Sequence, residues 1–168
     1  MSEDPTLLRK VCLFLLEENR IMTLATYGGE GPWAAPVIYA WETHPAAVSL
    51  YFMSRLSTRH VENFLDAPRV AAAIHPNETR PLRGLQMEGT VEMLRGKEAL
   101  RVIRLYIRRF PLARRHFSIR AVLEESLDLR FFRFLPERVF ILSEEHFGWG
   151  NRCLLELPTG TVSHTRGG

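Results

Sequence analysis

Residues 21–54 read IMTLATYGGEGPWAAPVIYAWETHPAAVSLYFMS, and their punctuation decides the fold. Residues 21–27 alternate in polarity with β-branched content and read as a strand. Gly28-Gly29-Glu30-Gly31-Pro32 is a tight turn, and residues 33–41 form a second strand, so the pair makes a hairpin. Residues 42–46 turn again, and residues 48–54 form a third strand. Strands joined by such short links run antiparallel. A parallel sheet would need a crossover helix after nearly every strand.

Reading outward gives the remaining elements. Upstream, Thr6 is a fair N-cap, and Leu7, Leu8, Val11, Leu15 and Leu16 share one helical face closed by Glu17, Glu18 and Arg20. Downstream, a short helix is expected at 57–65, capped by Ser57 or Thr58. A fourth strand at 69–75 lies between Pro68 and Pro76, and a fifth at 83–94. Residues 97–109 form a helix with Ala99, Val102, Ile103, Tyr106, Ile107 and Phe110 toward a core, and 112–117 a second short helix after Pro111. The last third reads as strands at 129–135, 138–143 and 152–157, separated by Pro136-Glu137 and by a turn at 147–150. The expected architecture is mainly β with helices (α+β), a six- to eight-stranded antiparallel barrel that leaves few exposed edges. Residues 1–157 make one domain and 158–168 a flexible C-terminal tail.

Composition supports a globular chain. Its 168 residues are 46% hydrophobic and 24% charged, neither disordered nor collagenous. Cys12 and Cys153 are too few for a disulfide scaffold and suit small buried hydrophobes in a reducing compartment. No apolar run approaches the ~20 residues of a membrane span, and the acidic start lacks a signal peptide's basic region, so a cytoplasmic protein is expected. His44, His116, His146 and His164 lack the i, i+4 spacing of a helical metal pair, and no metal is expected. Walker A, Rossmann and Gly-x-Ser-x-Gly motifs are missing from the sequence.

The chemistry concentrates in residues 50–70, LYFMSRLSTRHVENFLDAPRV. A strand ends at Ser54, a short turn follows, and Thr58, Arg59 and His60 open a helix. Hydroxyls, helix N–H groups and a guanidinium fork converge there, which is the composition of a phosphate site. The plain alternative is that Ser57 or Thr58 only caps the helix and Arg59 is solvated. His60 is open between a phosphate contact and an exposed helix residue.

Phe52-Met53-Ser54, Thr58-Arg59-His60 and Ala67-Pro68-Arg69-Val70 fall in the register of a known pattern. So do Met22-Thr23-Leu24-Ala25-Thr26, the glycine-rich turn and Pro36-Val37. On these residues the sequence resembles the pyridoxamine-5′-phosphate-oxidase-like, FMN-binding split-barrel family over about residues 7–94. The resemblance implies that Ser54, Thr58 and Arg59 hold the FMN phosphate. Met53 and Val37 would offer backbone or apolar contacts to the ribityl chain and ring, and Gln86 would bond the isoalloxazine edge. It also implies a homodimer with the flavin at the subunit interface, and a flavin oxidoreductase acting on a small-molecule substrate. His60 stands where the family commonly has lysine, and Ala67 where asparagine is usual. Residues 21–54 carry no Lys or Arg, leaving Arg59 and His60, with Arg55, Arg80 and Arg83 in reserve, to neutralise the phosphate. The oxidases' basic C-terminal signature is absent, which points to a branch other than the vitamin-B6 oxidases.

Trp149, between two glycines, can stack on a flat ring or pack on the barrel end. Arg101, Arg104 and Arg108 form a helical stripe that continues through Arg109, Arg114, Arg115 and Arg120. Such a stripe is either a solvated face or a nucleic-acid contact, and no stacking platform accompanies it. The rivals to an FMN enzyme are therefore a non-catalytic flavin, haem or deazaflavin binder on the same scaffold, and a nucleic-acid-binding barrel.

Overall fold

The computed structural model describes residues 4–158 except 46, 78, 79 and 116; the expected tail at 159–168, His116 and His164 lie outside the described residues. Helix α1 (Pro5–Glu18) is followed by strands β1 (Ile21–Gly28), β2 (Gly31–His44) and β3 (Ala47–Ser54), then helix α2 (Arg59–Asp66). Strands β4 (Arg69–Ile74) and β5 (Arg83–Met93) lead to α3 (Gly96–Arg109), a 3-10 turn at Pro111–Arg115 and α4 (Ile119–Leu123). Strand β6 (Arg130–Ser143), the short α5 (Glu144–Phe147) and β7 (Arg152–Glu156) complete the described chain.

The cap of α1 is Asp4, not Thr6. Pro5 supplies the first helical position, and Asp4 accepts from the Thr6 N–H at 2.9 Å. The first hairpin closes on two residues, Gly29 and Glu30, because Gly28 pairs directly with Gly31, whose φ of +89 suits glycine.

All seven strands are antiparallel, in the order β3-β2-β1-β4-β5-β6-β7, and a further β3–β6 pairing closes the first six into a barrel. Strand β6 explains why the barrel is split. One of its edges pairs with β5 throughout, while the other pairs with β3 over residues 130–134 and with β7 over residues 138–142. Sequence reasoning divided β6 into two strands at Pro136-Glu137. The chain instead runs straight through, because Pro136 falls where the edge changes partner and the β5 register shifts. At this bulge Gly89 opposes Pro136, and a Cβ on Gly89 would lie 2.0 Å from the Leu135 carbonyl oxygen.

Two apolar layers follow from strand alternation. The barrel interior holds Met22, Leu24, Val37, Tyr39, Phe52, Phe132 and Phe134, with Leu8, Cys12 and Leu15 of α1 packed onto it. Helices α3 and α4 cover the outer face of β2, β3 and β6 through Val102, Ile103, Tyr106, Tyr51 and Phe131. Cys12 of α1 is buried, and that burial pushes its thiol up to about 12. Among the described residues no helix is long and apolar enough to cross a membrane, and no His/Cys/Asp/Glu group could hold a metal.

Candidate functional site

The end of β3 and the start of α2 meet at one corner of the barrel. The Ser54 hydroxyl lies 2.7 Å from His60 Nε2 and 3.3 Å from the Thr58 hydroxyl, which is itself 3.4 Å from that nitrogen. Thr58 Oγ1 donates to the Arg55 carbonyl at 2.7 Å, so toward Ser54 and His60 it is an acceptor. Thr58 occupies the N-cap of α2, yet its hydroxyl makes no cap bond, having turned back to Arg55. His60 is 8% exposed, not the exposed helix residue considered above; burial holds its imidazole below the ordinary range.

Ser57 faces the other way and donates to Asp128 Oδ2 at 2.5 Å. That bond and the backbone N–H groups of Ser57 and Leu56 keep the Asp128 carboxyl below its usual value. Beside it, Met53, Arg55, Leu127, Asp128 and Leu129 line a cleft of about 250 Å³. Arg130, buried at the head of β6, donates to the Leu127 and Leu129 carbonyls at 2.6 and 2.9 Å and so shapes that loop.

Arg59 departs from the solvated picture. Its Nη2 donates to the Glu30 carbonyl at 2.7 Å, and its guanidinium lies 4.6 Å above the Trp33 ring. Helix α2 is thereby tied to the first hairpin. A second tie is Asn63, which donates to Thr26 Oγ1 at 3.0 Å and lies so close to Gly28 that a Cβ there would meet Asn63 Oδ1 at 2.0 Å.

The other expected site residues lie apart from this corner. The Val37 side chain packs into the barrel core; the outward neighbours on β2 are Pro36 and Ile38. Strand alternation alone places Val37 with Ala35 and Tyr39. Gln86 is exposed on the outer face of β5, between Ala73 and Phe140. Trp149 is 78% exposed between Gly148 and Gly150, both at positive φ. It follows α5, beyond the Ser143 end of β6, whereas Ser54 pairs with Arg130 at the opposite end. Those ends are separated by a 14-residue strand, roughly 40 Å of extended chain. Arg83 also belongs to the far end, ion-paired with Glu18 at 3.2 Å and aligned with Ser143. One chain therefore gathers Ser54, Thr58 and His60 with Arg59 and Met53 nearby, and leaves Gln86 and Trp149 elsewhere.

The arginine stripe is partly structural. Arg101 donates to Glu42, Glu98 and the Tyr51 hydroxyl, each at 2.9 Å. Arg109 donates to Glu17 Oε2 at 2.7 Å and to the Glu17 carbonyl at 3.1 Å, closing the C-terminus of α1.

An antiparallel ring in which one edge of β6 leaves β3 for β7 is a split barrel, with the hydroxyl–imidazole corner at one of its strand-to-helix turns. The pattern of the pyridoxamine 5′-phosphate oxidase family matches residues 8–143. The chain belongs to that family. A UPF0306 protein of Klebsiella pneumoniae is 29% identical over 101 residues, 59% of this chain and 67% of its own length. Among solved structures, an FAD-binding protein of Mesorhizobium loti superimposes with a TM-score of 0.58 at 21% identity, covering 76% of this chain and 87% of that one. HutZ, a haem storage protein of Vibrio cholerae, superimposes with a TM-score of 0.61 at 19% identity, covering 84% and 95%. The split barrel thus has flavin-binding and haem-binding neighbours.

Proposed function

We propose that the chain binds FMN in a groove completed by a second copy of itself and acts as a flavin-dependent oxidoreductase on a small molecule. The observation that carries this reading is the Ser54–Thr58–His60 corner at the start of α2, with Arg59 beside it. The corner fits a phosphate on one further point. Arg59, the first residue of α2 after Thr58, holds its Nε buried without a hydrogen-bond partner, a cationic donor with a bond still to make. Ser54, Thr58 and Arg59 would hold the phosphate, and His60 would orient Ser54 from beneath. Met53 and the Val37 backbone would flank the remainder of the ligand. The flavin, when bound, supplies the redox chemistry, and the protein supplies binding and orientation.

Gln86 and Trp149 require the second copy, since within one chain they stand away from the corner. The outer sheet face offers it a seat. Pro36, Thr23, Ala73, Gln86 and Phe140 form one row across β2, β1, β4, β5 and β6, and Ala34, Ala25 and Ala71 a second row beside it. Ile21 and Ile38, paired and about half exposed, extend the apolar face. An obligate pair of this kind buries about 2,000 Å² or more.

The test is the absorption spectrum of the purified protein, followed by mass spectrometry of whatever denaturation releases. Flavin bands with FMN released support the reading. A Soret band would move the assignment to a haem binder on the same barrel, and a deazaflavin mass to that cofactor. A colourless protein without micromolar affinity for added FMN would end the flavin reading.

A further inference from the structure

The fork that a phosphate would need is already engaged. Arg59 Nη2 donates to the Glu30 carbonyl at 2.7 Å, with the Gly31 carbonyl at 3.5 Å. Its Nε lies 3.4 Å from Glu30 Oε2, inside ion-pair range, yet that nitrogen makes no hydrogen bond. Glu30 thus satisfies the charge of Arg59 without satisfying its donor geometry. The two partners differ in freedom as well: the Glu30 side chain is 80% exposed at the hairpin tip, whereas that of Arg59 is 28% exposed and stacked on Trp33. A carboxylate so exposed returns to water at little cost. A phosphate presents several acceptor oxygens and up to two charges, and can meet Nε and Nη2 together.

We propose that Glu30 is a specificity residue of this site: it competes with the ligand's phosphate for Arg59, and so sets how strongly the site prefers a phosphorylated flavin over an unphosphorylated one. The inference rests on the FMN reading above. On binding, Arg59 exchanges the Glu30 carboxylate for the phosphate while its backbone acceptors at residues 30 and 31 hold Nη2 in place between the hairpin and the start of α2. The ring and ribityl contacts are untouched by the exchange, so riboflavin, which lacks the phosphate, does not sense Glu30.

The experiment is a set of titrations with FMN and riboflavin on the full chain. The variants are Glu30→Gln, Glu30→Asp, Arg59→Ala and the Glu30→Gln/Arg59→Ala double variant. Glu30→Gln is expected to tighten FMN by about two- to fivefold, the strength of an exposed ion pair, and to leave riboflavin unchanged. Glu30→Asp, which draws the carboxylate back, should give a smaller gain. In the Arg59→Ala background the gain should vanish, because the contested group is gone. A gain that persists there would show a general field effect and overturn the proposal. So would unchanged FMN affinity in Glu30→Gln, and in that case Arg59→Ala still decides the parent reading. A loss of FMN on Arg59→Ala keeps the phosphate corner, and no loss removes it.

Discussion

The Ser54 hydroxyl and His60 Nε2 stand 2.7 Å apart in a pocket that leaves the histidine 8% exposed. An imidazole buried there beside two neutral hydroxyls resists protonation, and burial lowers its pKa accordingly. In the unfolded chain the same group titrates near its ordinary value of about 6.5. Between the lowered value and ~6.5 the unfolded state binds more protons than the folded one, so acid favours unfolding. The stability contributed by neutral His60 is present above pH ~6.5 and is lost as the pH falls below it. Urea midpoints from pH 5 to 8 should show this decline, at most about 1.4 kcal/mol per pH unit for one proton. His60→Gln should flatten that part of the profile. An identical decline in the variant would assign it to other groups.

Removing Arg109 should cost more than removing its neighbours on the same helix. Its guanidinium closes α1 on Glu17, whereas Arg104 and Arg108 face outward. Arg109→Ala is expected to destabilise by about 1–2 kcal/mol, and Arg109→Lys to recover part of it, since lysine lacks the fork. Arg104→Ala and Arg108→Ala should stay within about 0.5 kcal/mol of the parent. Thermal or urea denaturation of the four variants tests the ordering, and equal effects would refute it.

Gly89→Ala should be among the most disruptive single-methyl changes in the barrel. The added carbon would sit 2.0 Å from the Leu135 oxygen and 2.8 Å from Pro136 Cα, backbone atoms of β6 that cannot swing aside as a side chain can. A loss of about 3 kcal/mol, the upper end of overpacking costs, is expected. Gly29→Ala, with nothing within 4 Å, serves as the comparison and should be nearly neutral. Comparable midpoints for the two variants would show that the bulge yields.

Ala25→Glu places a charge in the second row of the outer sheet without touching the barrel core. If that face seats a second copy, sedimentation should show a shift from dimer to monomer with the circular dichroism unchanged. FMN should weaken in parallel, because Gln86 and Trp149 leave with the partner. A variant that stays dimeric and keeps its ligand would place the interface elsewhere.

What the sequence made legible was local. The opening hairpin is written in Gly28–Gly31 and in the alternation on either side, and the observed strands β1 to β5 lie within a few residues of those expected. The Ser54–Thr58–His60 corner was legible too, because strand end, turn and helix start are adjacent in the chain. Contacts between distant residues were not legible. Arg59 meets Glu30 across 29 positions and Arg109 meets Glu17 across 92, and neither pairing leaves a periodic trace. Pro136 misled because proline ordinarily ends a strand, and only the exchange of β3 for β7 along one edge shows why it is tolerated. Helix α4, five residues long, is too short to display a period.

The alanine and proline rows of the outer sheet carry an entropic consequence. Ala25, Ala34, Ala71, Ala73 and Pro36 have no side-chain rotamers to freeze. Ordering a long side chain at an interface costs about 0.5–1.5 kcal/mol each. A partner seated on this face therefore keeps more of the free energy of dehydration than it would on an equal area of lysine and glutamate. Short side chains can in this way support an association that the same area of long, mobile ones would not.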